Sequence, residues 1–301
     1  VTMYTTIANN TFSYFLTLNE FREKIKREHP DIEPSWIKLT TITMISQFKK
    51  NINIQFLTDF FKEDGLKLKN VKKSEKSKFN WKMKDTTFYN QISLVYEDHH
   101  STKSVKVFPN GSIQVAGCAD LFDCKRVIKQ LSYMFSRILG KEYVIPEDAF
   151  RVVMINSNFS LNKNLNLIQT AQKFEDATRI IQTTGERGVF KTSFEPDRYS
   201  AVKVKFKPAE DMKEITTSIF STGKIIITGA ETLKEIALAY NIIISHILHH
   251  KKSIIVSDID PLKKEIFNVA SGYNINDIIK MATDIGHKSW IDTIKNKQIN
   301  F

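Results

Sequence analysis

The chain has 301 residues, enough to bury one large core or two of ordinary domain size, and its 44 Lys+Arg against 33 Asp+Glu give a net charge of +11. That balance favours polyanionic partners, nucleic acid ahead of anionic membrane, without setting a fold. No run of about 18 apolar residues occurs, so no bilayer-spanning helix is expected, and the opening VTMYTTIANN lacks the basic and apolar regions of a secretion signal. Two cysteines, Cys118 and Cys124, are too few for a disulfide framework and read as small buried side chains in a reducing compartment. Heavy use of Lys, Asn and Ile points to an AT-rich coding genome.

In chain order, Asn19 to His29 is charged and helix-compatible, closed by Pro30. Ile37 to Ile45 alternates and is rich in Thr and Ile, a strand pattern. Ile52 to Lys62 reads as a short amphipathic helix, and the strongly basic Lys67 to Lys84 as a solvated loop or edge hairpin. Tyr89 to Tyr96 and Lys103 to Phe108 read as strands. The Pro109-Asn110-Gly111 turn and the strand Ser112 to Ala116 follow. Helical spacing through Leu121, Val127, Ile128, Leu131, Met134, Phe135 and Ile138 predicts a helix over Asp120 to Leu139, stopped by Gly140. Phe150 to Leu161 is then a strand and Leu165 to Phe174 a short helix. Ala201 to Phe206, Thr216 to Phe220 and Lys224 to Thr228 are strands, the last two joined at Gly223. Glu231 to His250 is a second long helix, and Asp258 to Phe301 carries two or three further short helices.

Two of these segments say nearly the same thing. Ser104 to Ala119 reads SVKVFPNGSIQVAGCA, and Thr216 to Glu231 reads TTSIFSTGKIIITGAE. Each is a strand ending in Phe (Phe108, Phe220), a tight turn with Gly (Gly111, Gly223), a second strand, then Gly (Gly117, Gly229) before a helix. The spacing is 112 residues throughout, as from Phe108 to Phe220. Internal duplication is the first reading of such a pair. It predicts an α+β fold of two pseudo-symmetric β-α-β-β-β-α repeats, forming one curved antiparallel sheet with helices on one face and the other face free. The expected division is residues 1–33 as an N-terminal helical extension, 34–146 and 147–252 as the repeats, and 253–301 as a C-terminal helical extension.

Other chemistry finds little support. His246, His249 and His250 stand at helical spacing, but no nearby Cys or carboxylate completes a metal site. His99 and His100 have no partner motif. Gly185 to Gly188 lacks the strand-to-helix context of a phosphate-cradling loop. Glu175/Asp176 and Asp258/Asp260 fit caps and turns. No nucleophile, base and orienting group can be assembled, so catalysis, a metal and a cofactor are not expected. A nucleic-acid enzyme is the least favoured alternative.

The hairpin TSIFSTGKIIITGAE resembles the second repeat of the TATA-box-binding proteins, written IF-x-SGK-[IMV]-V-x-TGAK, and the first hairpin follows the same template more loosely. Ser193 to Phe206 (SFEPDRYSAVKVKF) is similar to that family's SYEPELFPGLIYRM stretch. The resemblance covers roughly Pro34 to Lys252. It implies a saddle whose concave sheet lies in the DNA minor groove while aromatic wedges unstack base steps and kink the duplex. The wedges carried over are Tyr89 with Phe108, and Tyr199 with Phe220. Tyr89 and Tyr199 replace phenylalanines and bring a hydroxyl that needs a partner when buried.

On the groove face the resemblance places Thr41, Lys106, Gln114, Ala116, Met154, Asn156, Ser218, Ile226 and Thr228. Ile226 and Thr228 keep the family's Val and Thr, whereas Gln114, Ala116, Lys106 and Ser218 depart from it. Thr41 and Met154 fall where the family has its paired central asparagines, with Asn156 two residues on. Lys203, Lys205 and Lys224 are the expected phosphate contacts, which supply sequence-independent affinity by releasing counterions. Glu195, Asp197 and Arg198 fall where the family meets the initiation factor TFIIB, Arg198 standing in place of Leu. Lys125, Arg126, Lys129 and Arg137 on the outer helix face are open to regulators.

The resemblance therefore implies a transcription initiation factor, not an enzyme, that binds and bends AT-rich or otherwise altered double-stranded DNA and recruits a TFIIB-like factor and RNA polymerase machinery. The alternative is an interaction scaffold of the same fold in a transcription complex, with reduced DNA binding. The composition and the appended helices fit a large DNA virus. The location expected is intracellular: the nucleus or, for a viral protein, a cytoplasmic factory or the virion. The Lys72–Lys78 run is a weak import-like feature.

Overall fold

The computed structural model describes residues 11–62, 81–84, 90–97, 102–118, 121–146, 149–183, 190–269 and 273–274. Seven helices are α1 (Thr11–Glu28), α2 (Ile54–Lys62), α3 (Leu121–Leu139), α4 (Leu167–Thr183), α5 (Leu233–His249), α6 (Lys251–Ile254) and α7 (Pro261–Val269) among the described residues. The strands are β1 (Lys38–Gln47), β2 (Trp81–Met83), β3 (Ile92–Glu97), β4 (Thr102–Val107), β5 (Ser112–Cys118), β6 (Arg151–Ser160), β7 (Lys163–Leu165), β8 (Lys191–Ser193), β9 (Ala201–Phe206), β10 (Ile215–Phe220), β11 (Lys224–Ala230), β12 (Ile255–Asp258) and β13 (Tyr273–Asn274). The class is α+β, with antiparallel pairing throughout. The chain divides into two compact units: unit 1 holds residues 1–40 and 154–297, unit 2 residues 41–153 and 298–301.

In unit 2 the strand order is β2-β3-β4-β5-β1. Burial alternates along β4 and β5, so Val105, Val107, Ile113 and Val115 face a core shared with Val127, Ile128, Leu131 and Phe135 of α3. Period-2 burial is what one-sided packing of a sheet demands. Gly140 ends α3 at φ +65, the left-handed cap its sequence position implies. Lys103 lies fully buried with its ammonium 3.4 Å from Asp123, which in turn holds Arg126 at 2.6 Å. Arg126 also donates to the Tyr96 hydroxyl at 3.2 Å. A buried cation is tolerated only with such a partner.

In unit 1 the order is β6-β11-β10-β9-β8, with α5 packed on β11 and α4 on β8 and β9. Thr232 caps α5 by accepting from the Glu235 amide at 3.3 Å, while the Glu235 carboxylate accepts from the Glu231 amide at 2.6 Å. This T-x-x-E arrangement is a capping box reaching one residue further back than usual. Helix α1 lies on α5 through Leu18 and Ile25 and the Phe21–Tyr240 ring contact. Arg22 fastens it, donating to the Pro34 and Ser35 carbonyls and the Tyr240 hydroxyl at 2.7, 3.1 and 2.8 Å, with its guanidinium 4.3 Å above Trp36. Burial pushes the Tyr240 phenol up to about 12, against the pull of Arg22.

Several expectations shift. The first helix begins at Thr11, not Asn19, and the helix expected over Leu165 to Phe174 runs from Leu167 to Thr183, preceded by the short strand β7. The segment after His250 is not purely helical. Its β12 pairs with β7, and β13 pairs with Lys38 and Leu39 of β1. Open strand edges in unit 1 accept these segments, a long-range choice that local periodicity does not carry. Lys67 to Asn80, His99, His100 and Gly185 to Gly188 lie outside the described residues. So do the terminal helices expected beyond Asn274. No described helix is long and apolar enough to cross a membrane.

Candidate nucleic-acid interface

The two hairpins pair in the same register. In unit 2 Ser104 faces Ala116 and Lys106 faces Gln114; in unit 1 Thr216 faces Thr228 and Ser218 faces Ile226, each residue 112 positions on. Both turns close with the glycine amide donating to the phenylalanine carbonyl, Gly111 to Phe108 at 2.9 Å and Gly223 to Phe220 at 3.0 Å. Both glycines have positive φ, +85 and +84, as a three-residue hairpin loop built on a type I turn requires. The second glycine of each pair, Gly117 or Gly229, also has positive φ. It falls at the register shift where β5 meets β1 or β11 meets β6, and a glycine bulge strengthens the local twist.

Opposite the packed side, alternate residues of these strands stay half-exposed. In unit 1 one row runs Ser193, Lys203, Ser218, Ile226 and Asn158 across five strands; a second runs Lys191, Lys205, Thr216 and Thr228. Met154 and Asn156 fall on the same side of β6 as Asn158 by period 2, and both are half-buried. Ser218 is only 8 % exposed. A serine between Lys203 and Ile226 is shadowed by larger neighbours, so this expected face residue holds its place without offering much surface. In unit 2 the corresponding rows are Ser93, Lys106, Gln114 and Ile45, and Val95, Ser104, Ala116 and Thr43, of which Ser93 and Thr43 are buried at the row ends. Thr41 continues that side of β1 and is half-buried. Asn158 and Ile45 were missed by sequence reasoning; counting two residues on from Asn156 and four from Thr41 would have found them.

Aromatic side chains mark the hairpin ends. Phe220 closes β10, opposite Ala201, and its ring meets Tyr199 edge to face at 5.7 Å between centroids. Tyr199 is 38 % exposed and Phe220 half-exposed. The Glu195–Tyr199 turn, in which the Arg198 and Tyr199 amides both donate to the Glu195 carbonyl, aims the tyrosine there. The Lys203 ammonium lies 4.5 Å above the Tyr199 ring, a cation–π contact. Phe108 is likewise half-exposed at the end of β4, and Tyr89 lies outside the described residues.

Charged candidates stand clear of the core. Lys205 and Lys224 are exposed and Lys203 half-exposed. Glu195, Asp197 and Arg198 are all exposed, with Arg198 3.2 Å from Glu195. Lys125, Arg126 and Lys129 line one cavity of α3 together with Val144, Ile145 and Phe150; Arg137 stacks on Tyr133. His246, His249 and His250 do cluster, ring to ring, yet no group of ligating side chains able to hold a metal ion occurs among the described residues.

Residues 149–250 match the family model described as "Transcription factor TFIID (or TATA-binding protein, TBP)". A curated relative, the "TATA-box-binding protein-like" protein of Acanthamoeba polyphaga mimivirus, is 28% identical over 170 residues, which is 51% of this chain and 46% of the relative. The chain thus spans about half the length of that relative. Among solved structures, Methanococcus jannaschii TBP is similar at a TM-score of 0.44 and 16% identity, over 71% of this chain and 99% of that one. Residues 149–250 thus carry the similarity to the TATA-binding-protein family.

Proposed function

We propose that the whole chain is a divergent TATA-binding-protein-like transcription initiation factor, built from two copies of one unit. It binds double-stranded DNA in the minor groove through its uncovered sheet faces. The observation that carries this reading is the half-exposed Tyr199–Phe220 ring pair with Lys203 above it, at the end of a strand face bearing Ser218, Ile226, Thr228 and Asn156. Flat rings at a sheet margin can enter a base step, and the adjacent cation compensates phosphate charge. Phe108 serves the same end in unit 2, with Tyr89 as its partner. Small and apolar face residues suit A·T pairs, which present no guanine amino group. The exposed Glu195, Asp197 and Arg198 receive a TFIIB-like partner, and the outer face of α3 receives other regulators. The expected source is a large DNA virus and the site of action an intracellular one.

Energy-transfer measurement on a doubly labelled duplex tests this. Bending a short site costs about 1–6 kcal/mol, and wedge insertion must recover part of it. Phe220→Ala is expected to weaken duplex binding by more than ~1 kcal/mol and to reduce the bend. Binding with an unchanged bend would refute the wedge assignment.

A second reading, an interaction scaffold of the same fold, is favoured by Lys106 and Gln114 on the unit 2 face. It predicts no salt-sensitive duplex binding to bent or AT-rich DNA.

A further inference from the structure

The two hairpins differ in chemistry at one equivalent place. In unit 1 the pair in register is Ser218 with Ile226; in unit 2, 112 residues earlier, it is Lys106 with Gln114. Gln114 has Ile45 beside it on β1, and Lys106 has Ser93 beside it on β3. Lys106 and Gln114 are both half-exposed, and neither side chain has a hydrogen-bond or ion-pair partner among the described residues. An amide and an ammonium held at the centre of a sheet face without partners among the described residues are groups available to a ligand.

The minor groove distinguishes such groups sharply. A·T and T·A pairs show only the acceptors adenine N3 and thymine O2, whereas G·C adds one donor, the guanine 2-amino group. An isoleucine cannot accept from that donor, so a guanine beneath Ile226 leaves a buried N–H unpaired. A glutamine can do both jobs: Oε1 accepts from the amino group while the NH2 donates to a neighbouring O2 or N3. The lysine ammonium donates to the same acceptors and adds charge compensation. Resting on the minor-groove reading above, we propose that the unit 2 face reads a guanine-containing base pair, with Gln114 accepting from the guanine 2-amino group and Lys106 donating beside it, while the unit 1 face takes A·T pairs. The preferred site is then asymmetric, an A·T half joined to a G·C-bearing half, and that asymmetry fixes the direction in which the protein sits on DNA.

Labelled duplexes of one length test this with the intact protein. One is wholly A·T, one carries a G·C pair in a single half, and one carries G·C in both halves. Matched versions replace guanine by inosine, which keeps the Watson–Crick geometry with cytosine and removes the 2-amino group together with its one hydrogen bond to cytosine O2. The duplex with G·C in one half is expected to bind at least as tightly as the A·T duplex. Its inosine version should bind on the order of five- to tenfold more weakly, and G·C in both halves roughly tenfold or more weakly than in one. Gln114→Val should reverse the first preference by about tenfold. The inosine comparison needs no variant, so a misfolded Gln114→Val would not rescue the idea. Duplex binding in which guanine and inosine are indistinguishable in either half, or in which inosine always binds tighter, overturns the proposal alone. Failure of every duplex to bind overturns the minor-groove reading, and this proposal falls with it.

Discussion

Gly223 holds the second hairpin turn at φ +84, and a Cβ there would stand 2.2 Å from the Lys163 carbonyl oxygen. Gly140, at φ +65, has nothing within 4 Å of the same position. Gly223→Ala therefore meets both a left-handed backbone penalty and a backbone collision, while Gly140→Ala meets the first alone. Urea unfolding should show a loss of more than ~2 kcal/mol for Gly223→Ala and about 1 kcal/mol for Gly140→Ala; equal losses would mean the hairpin turn relaxes freely. The need for both glycines was legible in the sequence, because each sits where a turn or a helix end requires positive φ. Lys103 was not. Asp123 at 3.4 Å compensates this fully buried lysine, and that partner comes from a different element.

Helix α5 is joined to α4 through an aromatic cluster centred on a histidine. The His246 ring lies 4.3 Å from Phe174 and 5.4 Å from Phe190, and its Nε2 lies 3.0 Å from the Lys173 carbonyl, the partner that assigns the proton to that nitrogen. Burial holds the His246 pKa below its ordinary 6.5, and the neighbouring His250 and His249 push the same way, against the Lys173 carbonyl bond. A depressed folded value means that the neutral ring is the stabilising form. That stability is present above pH 6.5 and is lost as pH falls through the folded value. The melting temperature should thus fall between pH 7 and pH 5, and fall less in His246→Phe. A pH dependence identical in the two proteins would show that the cluster does not sense protonation. From the sequence the three histidines read as a helix end without metal chemistry. The role of His246 in joining α4 to α5 depends on Phe174 and Phe190, more than fifty residues away.

For the molecule as a whole, the +11 charge sets a long-range attraction for polyanions that does not depend on which bases are read. Each phosphate neutralised on duplex DNA adds about −0.9 to the slope of log K against log salt. Lys224→Ala should therefore weaken binding to all duplexes alike and flatten that slope by about one. An unaltered slope would remove Lys224 from the phosphate contacts. Partner recruitment separates from this. Glu195→Arg with Asp197→Arg reverses charge on an exposed turn and should keep duplex affinity while losing a TFIIB-like partner in a pull-down. Retained pull-down would exclude that surface.

Much of this architecture is written locally. Two strands with period-2 apolar residues, a turn glycine and a long amphipathic helix appear twice at a constant interval, and short-range propensity with one-sided burial is enough to fold each copy into the same register. The identity of the half-exposed face follows too, since one buried residue fixes the side taken by its neighbours. What only tertiary structure decided is where the open edges and lone charges go: β12 onto β7, β13 onto the start of β1, Arg22 onto Tyr240, Lys103 onto Asp123. Those choices join residues far apart in the chain, through backbone hydrogen bonds and desolvated charges whose strength depends on which partner arrives, not on the local order of side chains.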